Sequence, residues 1–320
     1  MEYRQLGKWG LRVSCLGMGT HMTLGHSCDE ATSRAMVRAA YDGGVNFFDT
    51  ANAYAHGEAE RMLGLCLKEY PRSSVVVLSK VSGMMGPGPN DRGLSAKHIR
   101  EQCDASLQRL GMEYIDIYLC HRPHTDTPLE ETIRAMEDLA RAGKILYWGV
   151  SEWPVALIVQ ANALAQQLGA RPIAASEPRY NLLYRQPESS LFPTTAEQGI
   201  GNLTFSPLGH GVLAGIYKPG EAAPPGTRAA DTADNAVPLQ LYYNEENKRK
   251  AAELVRIAAE LGTSAAVLST AWCLTNSNVS SVIFGAWTEP ELRENLKAAD
   301  LLIPEDVQRR IEELFPAPSA

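Results

Sequence analysis

No stretch of this chain approaches the roughly 20 consecutive apolar residues that a membrane-spanning helix needs. Its first residues, MEYRQLGKWG, contain no apolar core of the secretion-signal type. No lysine or arginine run stands out and the net charge is −7, so neither nucleic acid nor an anionic membrane is an expected partner. None of the six cysteines (Cys15, Cys28, Cys66, Cys103, Cys120 and Cys273) sits in a CxxC pair. They read as small, reduced, buried thiols of a cytoplasmic protein, which excludes a disulfide framework. No Walker loop occurs, and Gly17-Met18-Gly19-Thr20-His21-Met22 lacks the last glycine of a dinucleotide fingerprint. A doubly wound sheet is thereby weakened to second choice.

What is present is alternation. The chain has 320 residues, 45% of them hydrophobic, ample for a large core. Eight β-rich runs stand at 13–19, 45–49, 74–80, 114–121, 145–151, 172–177, 201–209 and 279–285, with helical patterns between them. DEATSRAMVRAAYDGG opens on acids and stops at Gly43-Gly44; LSAKHIREQCDASLQRLG has Ser95 as its cap and Gly111 as its stop. The alternation predicts parallel β/α units. The expected fold is an α/β, (β/α)8 TIM barrel over residues 1–320 as one domain, with an N-terminal β-hairpin in MEYRQLGKWGLRVSCLG and extra helices. The Pro-, Ala- and Asp-rich segment 218–238 is too long for an ordinary connection and reads as a lid or a disordered excursion.

Polar residues follow the apolar runs. Asp49 ends the second run with Tyr54 in the loop after it, Lys80 ends the third, His121 the fourth, Ser151 and Glu152 the fifth, and Glu177 the sixth. In a barrel these strand ends converge on one mouth. Each alone has an ordinary explanation, because strand ends are often polar. Together, Asp49, Tyr54, Lys80 and His121 suit protonation of an alkoxide formed by hydride addition to a carbonyl. Tyrosine is protonated at neutral pH. A nearby ammonium stabilises its phenolate. An aspartate holds that ammonium, and a histidine donates to the carbonyl oxygen. His121 and His124 also form an HxxH with Asp126 close by, but HRPHTDTP is Pro-broken and the pair does not lie on a helix face. No metal site is expected.

The segments NFFDTANAYAHGEAE, VVVLSKV, RLGMEYIDIYLCHRP, KILYWGVSEW, RYNLLYR, FSPLGHG and GAWTEPELREN, in this order, resemble the aldo-keto reductase superfamily along nearly the whole chain. DRGLSAKHIREQCDASLQRL, TPLEETIRAM and STAWCL are similar to the branch that contains voltage-gated potassium channel β-subunits and their bacterial enzyme relatives. The resemblance implies a carbonyl reductase with Tyr54 as general acid, Asp49 and Lys80 tuning it, and His121 orienting the carbonyl. In the channel β-subunits an asparagine stands at the place of His121.

The resemblance also implies NADPH across the barrel mouth, with NADH not excluded. Gly19 and Thr20 would lie under the nicotinamide beside Asp49, and Ser151 and Glu177 would face its carboxamide. Phe205 would stack on the ring, Ser206 and Leu208 would meet the pyrophosphate, and Arg228 would reach the phosphates from the 218–238 lid. Gly285, Glu291, Glu294 and Asn295 would hold the adenosine end. Two departures stand out. Relatives usually have glutamine at the place of Glu177, and many carry a cation in GAWTEPELREN where this chain has Thr288 and Glu291. A small aldehyde or ketone is the implied substrate, with His21, Met22, Met84, Met85 and Trp153 as further pocket candidates. A homo-oligomer is the implied assembly. A nicotinamide-binding regulatory or partner subunit with slow chemistry is the alternative.

Overall fold

Side chains along a strand alternate between its faces, so residues two apart share one side. In the computed structural model, which describes residues 1–230, 239 and 241–318, this rule builds a barrel interior and its mouth from the same strands. Eight strands close in the order β10-β3-β4-β5-β6-β7-β8-β9, with every neighbouring pair parallel. They are β3 (Leu16–Gly19), β4 (Phe47–Asp49), β5 (Val76–Val81), β6 (Ile115–Cys120), β7 (Ile145–Ser151), β8 (Ala175–Glu177), β9 (Gly201–Phe205) and β10 (Val279–Phe284). Phe47, Leu78, Leu119, Ala175, Leu203 and Ile283 belong to one apolar cluster inside the barrel. Two residues on from them along the chain stand Asp49, Lys80, His121, Glu177, Phe205 and Gly285. The polar mouth is therefore the next layer above the apolar filling.

The hairpin is present. β1 (Tyr3–Gln5) and β2 (Arg12–Ser14) pair antiparallel, with Tyr3 opposite Ser14. Leu6 and Val13 join the interior cluster, so the hairpin plugs the barrel end remote from the mouth. The single run expected over 13–19 divides at Cys15, because Val13 and Ser14 pair with the hairpin while Leu16 onward pairs with β10. The run 201–209 ends early at Phe205, since Ser206 turns into the left-handed region at φ 58° and Pro207 follows. In 172–177 only Ala175–Glu177 is strand.

The helix signals operate as read. Asp29 caps Glu30–Asp42 by accepting from Thr32 N at 2.8 Å. Ser95 caps Ala96–Leu110 by accepting from His98 N at 3.2 Å, and Gly111 ends that helix at φ 65°. Beyond the one-helix-per-strand pattern, the helices Glu245–Glu260 and Ala265–Thr275 stand between β9 and β10 among the described residues, and Glu289–Leu296 and Glu305–Leu314 follow β10. Among the described residues no single helix is long and apolar enough to cross a membrane. The described part of the expected lid is tied down: Gly220 N donates to Glu245 Oε2 at 2.8 Å and Ala229 N to Tyr217 Oη at 3.3 Å. Residues 231–238 of that segment lie outside the described residues.

Closure of the barrel depends on small residues at tight places. A Cβ on Gly149 would stand 2.2 Å from Ala175 O and 2.7 Å from Leu119 Cδ2. The first of these is backbone of the adjacent strand and cannot swing away. Gly149→Ala is therefore expected to cost about 3 kcal/mol, the upper end of overpacking. Asp29→Ala, which removes one exposed cap, should cost about 1 kcal/mol. Urea unfolding of the two variants measures this, and equal losses would show that strand β7 adjusts freely to the added methyl.

Candidate active site

The mouth layer is organised around a buried ammonium. Lys80 is fully buried near the end of β5. Its Nζ donates to Asp49 Oδ1, to Thr50 O at 3.1 Å and to Tyr54 Oη at 3.2 Å. Asp49 is the last residue of β4 and Thr50 follows it, so one strand end supplies two of the three acceptors. Tyr54 returns to the mouth because the chain turns sharply after it: Ala55 and His56 take left-handed φ values of 47° and 52°, and Gly57 has φ 94°. A second carboxylate, Glu177 at the end of β8, stands across the barrel with Oε2 at 3.3 Å from Lys80 Nζ. That oxygen is buried and takes no hydrogen bond.

This arrangement sets the protonation states. Burial alone would lower the Lys80 pKa, but Asp49 and Glu177 outweigh it and hold the group above the ordinary lysine range. Burial raises the Tyr54 phenol above its usual value, more than the Lys80 charge lowers it, so the hydroxyl keeps its proton. Burial, then the charges of Lys80 and Arg122, push His121 well below the usual imidazole range. A neutral imidazole at neutral pH follows. Burial, against the pull of Lys80, pushes Glu177 up to about 8. The rings of His21 and His121 meet the Tyr54 ring edge to face, with centroids 4.7 Å and 5.7 Å away.

The layer opens into a cavity of about 600 Å³, a volume suited to a small-molecule or cofactor site. Its wall includes Gly19, Asp49, Tyr54, His121, Ser151, Glu177 and Phe205, together with Ser206, Leu208, Arg228, Gly285, Trp287 and Glu291. Lys80 stands behind Tyr54, outside this wall. Ser206 and His210 both hold left-handed backbone, φ 58° and 57°, in the loop after β9. Such strain costs about 1–3 kcal/mol at each residue and is common at ligand clamps. Arg228 Nη1 lies 3.0 Å from His210 Nδ1, and its guanidinium is 5.8 Å from the Trp287 ring centre. Thr288 caps Glu289–Leu296 by accepting from Glu291 N at 3.3 Å, and Glu291 Oε2 accepts from Trp287 N at 2.8 Å. The Glu291 carboxylate thus serves its own helix end while lining the cavity.

Three of the residues expected at the cofactor stand outside the wall. Thr20 is buried, with N donating to Asp49 O at 2.9 Å. Asn295 is buried and donates to Gly285 O at 3.4 Å, and Glu294 pairs with Lys297 one helical turn on. Of the expected pocket residues, His21 lines the cavity, whereas Met22, Met84, Met85 and Trp153 do not. Met84 is 60% exposed on a mouth loop, and Trp153 is buried in the main core. His124 turns away from His121 to Gly93 and Thr127. Among the described residues no group of three His, Cys, Asp or Glu side chains could hold a metal ion. Among the lining residues that the sequence reading of the site did not include are Arg122, Arg179 and His210. Only their loop positions signalled them. Arg122 donates to Ser151 Oγ at 3.1 Å, and Arg179 pairs with Glu152 at 3.4 Å while its guanidinium lies 6.0 Å from the Phe205 ring centre.

The model of the aldo/keto reductase family matches residues 15–315. A probable voltage-gated potassium channel subunit beta of Arabidopsis thaliana is 42% identical over 312 residues, covering 94% of this chain and 92% of that one. A protein of the same description from Oryza sativa subsp. japonica is 43% identical over 322 residues, covering 97% and 95%. Match and relatives alike run through the barrel and its mouth: the chain belongs to the aldo/keto reductase family.

Proposed function

We propose that this protein reduces an aldehyde or ketone to the alcohol with a nicotinamide dinucleotide, NADPH first, and that Tyr54 is the acid. The observation that carries the reading is the Tyr54 hydroxyl, 3.2 Å from the buried Lys80 Nζ on a residue that lines the cavity. The wall fits the cofactor in three respects. A Cβ on Gly285 would meet nothing within 4 Å, so its absence widens the cavity rather than serving packing. Glu177 Oε2 is a buried oxygen with no hydrogen bond. Arg228 supplies a cation where phosphates would lie. A reduced nicotinamide supplies the hydride when bound. The side chains do the rest. His121, neutral, donates to the carbonyl oxygen and aims it at Tyr54 Oη. Tyr54 gives its proton to that oxygen, and Lys80 with Asp49 stabilises the phenolate left behind.

A second reading, a cofactor-binding subunit of a potassium channel, draws its support from the names of the two plant relatives. His121, poised beside Tyr54, favours the reductase. Turnover separates the two. A panel of aldehydes with NADPH and NADH, followed at the nicotinamide absorbance, should show multiple turnovers, and cofactor binding without oxidation by any carbonyl would favour the subunit. Tyr54→Phe should lower kcat by about 10²–10⁴ while cofactor affinity stays near wild type. Near-normal turnover in that variant would remove Tyr54 from the mechanism. The cytoplasmic location and homo-oligomeric state belong to the same proposal, and light scattering at micromolar protein should give a multiple of 34.9 kDa.

The adenosine end sets cofactor choice. A carboxylate repels a 2′-phosphate and accepts from a ribose hydroxyl, and Glu291 is the carboxylate on that part of the wall. Glu291→Arg should raise NADPH affinity relative to NADH roughly tenfold. Glu291→Gln, whose amide oxygen still accepts from Trp287 N, should raise it less. Titration of both cofactors decides, and an unchanged ratio in the arginine variant would mean that this side chain does not see the 2′ position.

A further inference from the structure

The mouth holds one more carboxylate than its ammonium can balance. Asp49 and Glu177 both ion-pair with Lys80, and they do so from opposite sides of a closed barrel, each only 3% exposed beside the cavity. Two buried carboxylates on one cation leave a surplus negative charge, which is costly unless a proton is retained. Asp49 accepts a direct hydrogen bond from Nζ, whereas Glu177 Oε2 takes none. The groups that face Glu177 are Lys80 from β5, Asp49 from β4, Tyr54 from the loop after it and Arg122 from the loop after β6; Ser151 Oγ donates to the Glu177 carbonyl, not its carboxyl. Lys80 is its ion-pair partner, with Nζ 3.3 Å from Oε2.

We propose that Glu177 is a proton store that refills Tyr54 through Lys80 and releases its proton when the cavity gains a positive charge. The inference rests on the carbonyl-reductase reading above. The proton moves along residues on the page. Tyr54 Oη loses its proton to the carbonyl oxygen and becomes phenolate. Lys80 Nζ, 3.2 Å away, passes one of its protons to that oxygen. Glu177, 3.3 Å from Nζ on the other side, returns a proton to Lys80 and is left as carboxylate. The chain as a whole loses one proton. That loss matches the positive charge that a nicotinamide carries once it has given up hydride, so the buried site ends the step with its charge unchanged.

Linkage makes this measurable without turnover. Burial, against the pull of Lys80, raises the Glu177 carboxyl to about 8 and raises that of Asp49 as well, so the pair retains a proton at neutral pH. Binding of NADP⁺ to the wild-type protein at pH 7, in weak buffer with an indicator dye, should release close to one proton per site, and binding of NADPH much less. Glu177→Gln keeps the shape and removes the ionisation. It should lose the difference between the two cofactors and also the fall in kcat above about pH 8 that is expected of wild type. Glu177→Asp should keep the proton release with a displaced midpoint.

The unliganded protein gives a further readout. The pKa of Glu177 is raised from 4.5 to about 8 by folding. Its contribution is therefore complete at pH below 4.5 and lost as pH rises toward 8, so wild type should lose stability relative to Glu177→Gln across that window. Equal proton release with NADP⁺ and NADPH, or an alkaline limb preserved in Glu177→Gln, overturns the proton store. Failure of either cofactor to quench tryptophan fluorescence overturns the reductase reading, and the store with it.

Discussion

A lysine ammonium sealed in the end of a barrel is the constraint around which this molecule is arranged. Burying a charge is tolerated only when partners replace water, and removing one partner from such a group costs about 3–5 kcal/mol. Lys80 draws those partners from two different directions. Asp49 and Thr50 come from the neighbouring strand, and Glu177 comes from the opposite wall. No open sheet brings β5 and β8 face to face at that distance. Only closure does, and closure in turn needs the small residues that let strands and side chains meet. Gly17, for instance, leaves room for the Phe47 ring, which a Cβ would approach to 2.3 Å.

The same layering gives the site a close-packed base and a rim built of the segments that follow the strands. Beneath the charged layer lie Phe47, Leu78, Leu119 and Ala175, packed as a solid interior and sealed below by Leu6 and Val13 of the hairpin. Close packing of this kind does not yield by small displacements. Above it, the elements that carry Tyr54, Ser206 and His210 are loops with left-handed backbone at or beside those residues. Strain there is held by the barrel beneath, and it turns Tyr54 Oη toward Lys80 and the loop after β9 toward the cavity. The 600 Å³ space is thus bounded by a fixed floor and by loops.

Charge on the wall of that space is of both signs. At the floor, a net excess of carboxylate surrounds one ammonium. Elsewhere on the wall Arg122 and Arg179 are engaged by Ser151 and Glu152, and the Arg228 guanidinium stands 5.8 Å from the Trp287 ring centre. Burial keeps the titratable groups at the floor away from their ordinary protonation ranges, which is a common property of reactive sites.

The order and kind of the elements were legible in the chain alone, because strand and helix periodicities, caps and stops are local. Asp29, Ser95 and Gly111 act where they stand in sequence, and all eight barrel runs became strands. The two-residue period likewise determined that Asp49 shares a side with Phe47, Lys80 with Leu78 and Glu177 with Ala175, so Asp49, Tyr54, Lys80 and His121 converged on one rim as the strand-end pattern required. What the chain could not determine was distance across the barrel. That Glu177 reaches the same ammonium as Asp49 follows from closure, and no local pattern contains it. Loop paths were equally hidden. Met84, Met85 and Trp153 lie near strand ends in sequence yet stand outside the cavity, while Arg122, Arg179 and His210 line it. The division of 13–19 at Cys15 was also decided by partners, one half pairing with the hairpin and the other with the last strand. Periodicity assigns a residue to a face, and only the closed tertiary structure decides what stands opposite it.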